Sequence, residues 1–358
     1  MVTITSRSLR SLALLLVVLS AAAGAGLRPI WSLHYVRERL VWGPWGEGAG
    51  AFGRTVAADG SWWGPQAFAI AGRAIAVTDS VNHRLQVFNS RGQLTQTIPL
   101  ALPGGTRFSA GDVSFYRGRW MVWDAGSHRV LQWDAGEWRV AAESPLPPGP
   151  GTVVPEGLAN DDSGHLYYAA TLVTDMHAVW KLWRFSPGIS PELVTAVVAQ
   201  PETLAAGVGI VQLAPELPGL VLGFALSPGG RLHLHVAGDA RGSGSILTFC
   251  LASGRRVSVM DPGRSVPFPS RLAGADGNAR FYLVDARPSR PSSLVVLDAR
   301  GEALASFALG YGVMRGMARV RVDEWGNLYV MDHDEEGMSV TRHAPRRALK
   351  VVPRWRRP

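Results

Sequence analysis

Cysteine is almost missing from this chain: Cys250 is the only one in 358 residues, so no intramolecular disulfide can form in any compartment and stability has to come from packing. The thiol itself sits in an apolar setting, Leu247-Thr248-Phe249-Cys250-Leu251, which predicts burial rather than reactivity. Lysine is nearly absent too. Lys181 and Lys350 are the only lysines among 36 basic residues. Beyond the first segment the chain also lacks a 3.6-residue apolar period, which excludes a helical bundle. A continuous basic stripe is missing as well, although the formal charge is +8. The excess lies at the ends: residues 1–41 hold five Arg and one Glu, and 342–358 hold six Arg and Lys350, leaving 24 basic and 27 acidic residues in 42–341. That distribution argues against nucleic acid as a partner.

What is present begins with a targeting segment. Arg7 and Arg10 precede the apolar run Leu12–Leu19, which continues into Ala21-Ala22-Ala23-Gly24-Ala25-Gly26. Small residues at Ala21/Ala23 or Ala23/Ala25 fit signal cleavage. Ser11–Leu27 is also about the minimum length for an uncleaved anchor, so residues 1–26 read as a signal peptide or a membrane anchor. Either way, positive charge ahead of the segment predicts an extracytoplasmic protein, secreted or tethered.

The body is all-β in pattern, with short β-rich runs punctuated by Gly, Pro, Asp and Asn. Ala74–Asp79, then Ser80–His83 and Arg84–Phe88, reappear forty-five positions on as Trp120–Asp124, Ala125–His128 and Arg129–Trp133. Asp79, His83 and Arg84 thereby map onto Asp124, His128 and Arg129. Weaker copies of the strand ending at Asp79, read as the inner strand of each unit, are His165–Ala169, Arg231–Val236, Arg280–Val284 and Asn327–Met331. A unit of this length with four short strands is a propeller blade, since one small sheet cannot cover both of its faces alone. The expected fold is a β-propeller of about six four-stranded blades over 64–353, after a Gly- and Trp-rich lead-in at 27–63 and before a basic tail at 354–358. Strands are expected at Val179–Phe185, Leu193–Val198, Met338–Thr341 and Ala348–Val352, with an insertion around Pro201–Pro218. Ring closure either recruits Val36–Trp42 or does without it. The Trp residues are expected mostly in the core.

Val77-Thr78-Asp79, Asn82-His83-Arg84 and Val87-Phe88 resemble the NHL-repeat family of propellers. Val122-Trp123-Asp124 with His128-Arg129, and Val322–Asp332, match in part. The resemblance implies the propeller fold and a binding face. Its members include enzymes, sensors and scaffolds, so function must be argued from the site.

Candidate chemistry is sparse. Gly48-x-Gly50-x-x-Gly53 has neither the preceding strand nor the following helix of a dinucleotide site and reads as a loop. Gly242-Ser243-Gly244-Ser245 lacks a nucleophile elbow. Because Asp79, His83, Arg84 and their copies recur, they read as blade architecture, with each Asp bonding the following turn and pairing with the Arg. His233 and His235 project to one face of a strand and are the candidate divalent-metal ligands, without an assignable third. The loops after the presumed inner strands carry Asp175, His177, Asp239, Arg241, Arg287, Arg290 and the run Asp332, His333, Asp334, Glu335; their convergence on one face would form a ligand site. The reading is of a binding or scaffold module for a protein, glycan or cell-envelope ligand, needing no cofactor. The alternative is a metal-assisted, lactonase-like lyase or hydrolase using His233/His235 or Asp332–Glu335 at the channel mouth.

Overall fold

The computed structural model describes residues 27–56, 62–143, 152–161, 165–173, 178–185, 192–198, 221–236, 244–253, 255–262, 266, 270–285, 292–310 and 320–353. A long first strand, β1 (Leu27–Pro44), is followed by a small ribbon of β2 (Thr55–Val56) and β3 (Trp62–Trp63). Blade one is β4 (Phe68–Ala71), β5 (Ala74–Asp79), β6 (Arg84–Asn89) and β7 (Leu94–Pro99); blade two is β8 (Ala110–Tyr116), β9 (Arg119–Asp124), β10 (Val130–Asp134) and β11 (Glu137–Ala142). Blade three is β12 (Thr152–Asn160), β13 (Leu166–Val173), β14 (Ala178–Phe185) and β15 (Glu192–Val198), and blade four is β16 (Val221–Ser227), β17 (Arg231–Val236), β18 (Ser245–Cys250) and β19 (Arg256–Met260). Blade five is β20 (Ser270–Ala275), β21 (Phe281–Asp285), β22 (Ser292–Leu297) and β23 (Ala303–Gly310). Blade six holds β24 (Val320–Val322), β25 (Leu328–His333), β26 (Gly337–Pro353) and, outermost, β1. The protein is a six-bladed β-propeller, closed by a strand from the start of the chain pairing with one from its end.

Closure corrects the expected blade six. The strands predicted at Met338–Thr341 and Ala348–Val352 are one continuous β26, because Arg342–Pro345 contains no Gly or Asn pair to turn a hairpin. The fourth strand is therefore β1, out of the segment read as lead-in. Arg37–Ala344 form one compact unit. Of the described residues, 27–36 and 345–353 belong to another, in which Ser32 Oγ donates to the Ala348 carbonyl at 3.3 Å. The Pro201–Pro218 insertion and the segments 1–26 and 354–358 lie outside the described residues.

Apolar packing fills the gaps between blades. Leu85 and Ile98 of blade one meet Val122 and Trp138 of blade two, and Trp123 of blade two stacks on Tyr168 of blade three at 5.4 Å. Tyr167 and Trp180 of blade three face Leu232 and Phe249 of blade four, while Ile246 of blade four packs with Leu272 and Leu283 of blade five. Val41, Tyr329 and Val340 of blade six close the ring on Phe68, Val77 and Phe88 of blade one. Each fully buried side chain of this size contributes on the order of 2 kcal/mol. Trp123, Trp138 and Trp180 belong to this core, but Trp42, Trp63 and Trp325 are exposed.

The strands read as innermost are second from the axis. β4, β8, β12, β16, β20 and β24 come first in their sheets and line the channel. The error has a physical cause. A second strand lies between two neighbouring blades and is buried on both faces, as in β5, β9 and β17, where only the first residue is accessible; it therefore reads as the strongest apolar run. A channel strand faces open space and uses small residues there, such as Ala69, Ser114 and Ala225.

Candidate ligand site at the mouth of the central channel

The turns joining first and second strands carry a recurring arrangement. In blade three Asp161 Oδ2 accepts from the Tyr167 hydroxyl at 2.8 Å and lies 3.0 Å from His165 Nδ1. In blade five Asp276 Oδ2 accepts from Arg280 Nε at 2.6 Å and from the Tyr282 hydroxyl at 2.9 Å. In blade six Asp323 Oδ2 accepts from Asn327 Nδ2 at 2.7 Å and from the Tyr329 hydroxyl at 3.1 Å. The spacing is Asp, then His, Arg or Asn four positions on, then Tyr six positions on. Burial and the facing carboxylate push the Tyr329 phenol up to about 12, and the same two causes raise Tyr167. Burial alone would raise Asp161, but its hydrogen bonds from His165 and Tyr167 hold it below the ordinary carboxylate value. Blade four repeats the geometry with other residues: Ser227 takes the place of Asp and His233 that of Tyr, with Oγ and Nε2 at 2.8 Å.

The channel encloses about 550 Å³ and takes one or more small side chains from each blade, among them Ala69, Ser114, Ala159, Ala225, Gly274 and Val322. Its volume is in the range of small-ligand sites. Two charges meet within it. Arg321 on β24 passes in front of blade one, donating from Nε to the Phe68 carbonyl at 3.3 Å, and bonds Asp112 Oδ1 on blade two through Nη2. The other oxygen of Asp112 accepts the amide of Leu158 on blade three at 2.6 Å. Burial raises the Asp112 carboxyl, against the pull of Arg321 and of the Leu158 and Val113 amides. Four blades are tied by this one pair. Gly157 fits beside it because a Cβ there would lie 2.8 Å from Asp112 Oδ2.

The cavity extends to the turns between first and second strands, where Asn160, Asp323, Glu324 and Trp325 line it. Trp325 is 70% exposed, yet its turn is strongly braced. Asp323 Oδ1 accepts the amides of Trp325 at 3.0 Å and Asn327 at 2.8 Å. From blade five, Gly277 N donates to the Glu324 carbonyl at 3.0 Å, Arg280 Nη2 to that of Trp325 at 3.2 Å, and the Tyr282 hydroxyl to that of Gly326 at 3.2 Å. Gly326 has φ of +80°, and a Cβ on it would meet Arg280 Nη2 at 2.3 Å. Only glycine suits that position.

Those residues singled out from the sequence that are described lie outside the cavity lining. Asp79 accepts from Gly53 N and Arg84 Nε, each at 2.8 Å, while Arg84 Nη1 and Nη2 hold the carbonyls of Glu47, Gly48 and Ala51; together they bind the glycine-rich loop to blade one. In the second unit the Asp–Arg pairing does not recur. Asp124 binds its own turn through Gly126 N and Ser127, and Arg129 pairs with Glu143 at 2.8 Å. What His83 and His128 share is a left-handed turn position, φ 51° and 57°. His233 lies outside the cavity lining. Its ring meets Phe281 of blade five edge-on, and its nitrogens face the Ser227 and Thr248 hydroxyls at 2.8 and 2.9 Å. Burial, then Arg231, lowers it to about 4. His235 is buried two residues on. Asp332 Oδ1 accepts the His333 amide at 2.9 Å, and Asp334 Oδ1 accepts those of Glu336 and Gly337, both at 2.9 Å, forming a tight turn that holds Trp45 through the Asp334 carbonyl; Glu335 is exposed on it. Among the described residues no three His, Cys, Asp or Glu are grouped to hold a metal. Asp175, His177, Asp239, Arg241, Arg287 and Arg290 lie outside the described residues. Cys250 is only half-buried, since it ends β18 beside the turn at Ala252 and Ser253, whose hydrogen bonds lower its thiol pKa.

The described turn after a second strand that holds expected ligand residues, Asp332–Glu335, is at the opposite end of its blade from the Asp323–Asn327 turn at this mouth. Asp112, Arg321 and Trp325 were missed. Their signals were a charge inside an apolar strand, as in Val320-Arg321-Val322, and a tryptophan at a polar turn tip, Asp323-Glu324-Trp325-Gly326.

No protein-family profile matches the chain, and no curated protein is similar to it. Solved structures are similar in fold. One assigned as a gluconolactonase is 15% identical over 87% of this chain and 93% of its own, with a TM-score of 0.47. A calcium-binding regucalcin from Agrobacterium tumefaciens is 11% identical over 78% and 90%, at 0.46. A PQQ-bound aldose sugar dehydrogenase from Streptomyces coelicolor is 12% identical over 88% and 99%, at 0.49.

Proposed function

We propose that this propeller is an extracytoplasmic binding module, exported or tethered through residues 1–26, that takes an envelope ligand at the turn-side mouth of its channel. The observation that carries this is Trp325. A large apolar side chain left 70% exposed contributes nothing to folding, yet the turn presenting it is fixed by Asp323 and by three donors from blade five. Rigid presentation of an exposed aromatic beside a cavity lowers the ordering cost of binding. Of the carboxylates at the site, Asp112 is held by Arg321 and both oxygens of Asp323 carry hydrogen bonds, which leaves the exposed Glu324 as the one available among the described residues. This favours binding over acid–base catalysis.

The test is titration calorimetry of the full chain against envelope saccharides and peptides, with Trp325→Ala and the channel-filling Ala225→Phe as variants. A ligand bound by the wild type is expected to bind about tenfold more weakly to Trp325→Ala and not at all to Ala225→Phe. Equal binding by all three proteins, or chelator-sensitive turnover of the ligand, overturns the reading.

A further inference from the structure

We infer that the ligand of this mouth is an uncharged sugar unit, stacked on Trp325 with its hydroxyls directed to Glu324 and Asn160. The inference rests on the channel-mouth reading above and adds the chemistry of the occupant.

Donor and acceptor placement is the first argument. Asn160 Nδ2 donates to the Phe115 carbonyl at 2.7 Å, which turns that end to the protein and leaves the exposed amide oxygen, with one Nδ2 hydrogen, for a ligand. The Glu324 side chain beside Trp325 is exposed and, when ionised, only accepts. The rim therefore offers mostly acceptors. Sugar hydroxyls donate, whereas a carboxylate, sulfate or phosphate only accepts and would meet acceptors of its own kind.

Charge is the second. Rim carboxylates at Asp323 and Glu324 repel an anion, and Arg321, the cation lining the cavity among the described residues, is already bonded to Asp112 and the Phe68 carbonyl. A cationic ligand entering past the rim would approach the Arg321 guanidinium. With an acidic rim and an Arg321 already paired with Asp112, the cavity offers an anion no unpaired cation among the described residues, and a neutral polyol suits it. The exposed face of Trp325 suits the C–H face of a sugar ring, a contact that does not depend on charge.

The experiment titrates the full chain with neutral glucan, mannan and chitin oligosaccharides, and with uronate and amino-sugar oligomers of matched length, at low and high salt. A neutral oligosaccharide is expected to bind with little salt dependence. The uronates should bind at least about tenfold more weakly. Trp325→Ala should weaken neutral binding by about tenfold without changing the melting temperature, since its side chain is exposed. Tighter binding of uronates or amino-sugars, or neutral binding untouched by Trp325→Ala, overturns the inference. If every saccharide fails while a peptide binds and Trp325→Ala abolishes that binding, the sugar is wrong and the mouth stands. If binding of any kind survives both Trp325→Ala and Ala225→Phe, the mouth itself is wrong.

Discussion

His233 shows how one position changes chemistry while keeping its place. Asp–Tyr in blades three, five and six is replaced in blade four by Ser227–His233. The exchange makes the blade pH-sensitive. A histidine lowered to about 4 stays neutral in the folded protein while the unfolded chain protonates below about 6.5, so its contribution is present above pH 6.5 and lost as pH falls toward 4. The loss is about 1.4 kcal/mol per pH unit inside that window. Restoring the pattern of the other blades with Ser227→Asp and His233→Tyr together should flatten the melting temperature across this range, as calorimetry at stepped pH would record. An unchanged slope would place the sensitivity elsewhere.

Among the elements, β1 has the largest consequence for its size. It supplies the outer strand of blade six and places Val41 against Tyr329, Val340 and Phe88, whereas β7 and β19 are solvent-facing edges whose residues are mostly exposed. Removing Leu27–Pro44 should expose the backbone edge of β26 and one side of the blade six core. An unpaired edge of that kind templates association. The truncated chain is expected to aggregate or oligomerise on size-exclusion chromatography and to lose cooperative unfolding. A monomer with native melting behaviour would show that closure does not depend on β1.

Across the molecule, the described residues hold the ring through five apolar interblade clusters and through Arg321–Asp112, which spans blades six, one, two and three. Between blades five and six the described residues show the polar contacts of Gly277, Arg280 and Tyr282 with the Trp325 turn and Phe307 stacked on His343 at 5.2 Å. These polar contacts brace the turn that carries the exposed aromatic. Asp112→Ala leaves the Arg321 charge unpaired and should cost about 3 kcal/mol in denaturant unfolding. Adding Arg321→Met should recover most of it. A single variant as stable as wild type would make the pair incidental to the ring.

The sequence by itself determined the class of fold and its unit. A tight turn and the strands flanking it recur at an offset of forty-five positions, weaker copies of one strand follow, and a small sheet with two apolar faces has to stack radially. Repetition suggested a structural Asp–Arg pairing in both units, but the pairing forms only at Asp79–Arg84, where it clamps the glycine-rich loop. Which strand faces the axis was decided only in three dimensions, because burial on both faces makes the second strand the most apolar while the channel strand contributes small residues that leave little pattern. Ring closure was likewise a tertiary outcome, depending on pairing between strands from opposite ends of the chain. So was the candidate site: Asp112 and Arg321 lie 209 positions apart, and Trp325 matters because of its bracing by blade five, which no local pattern contains.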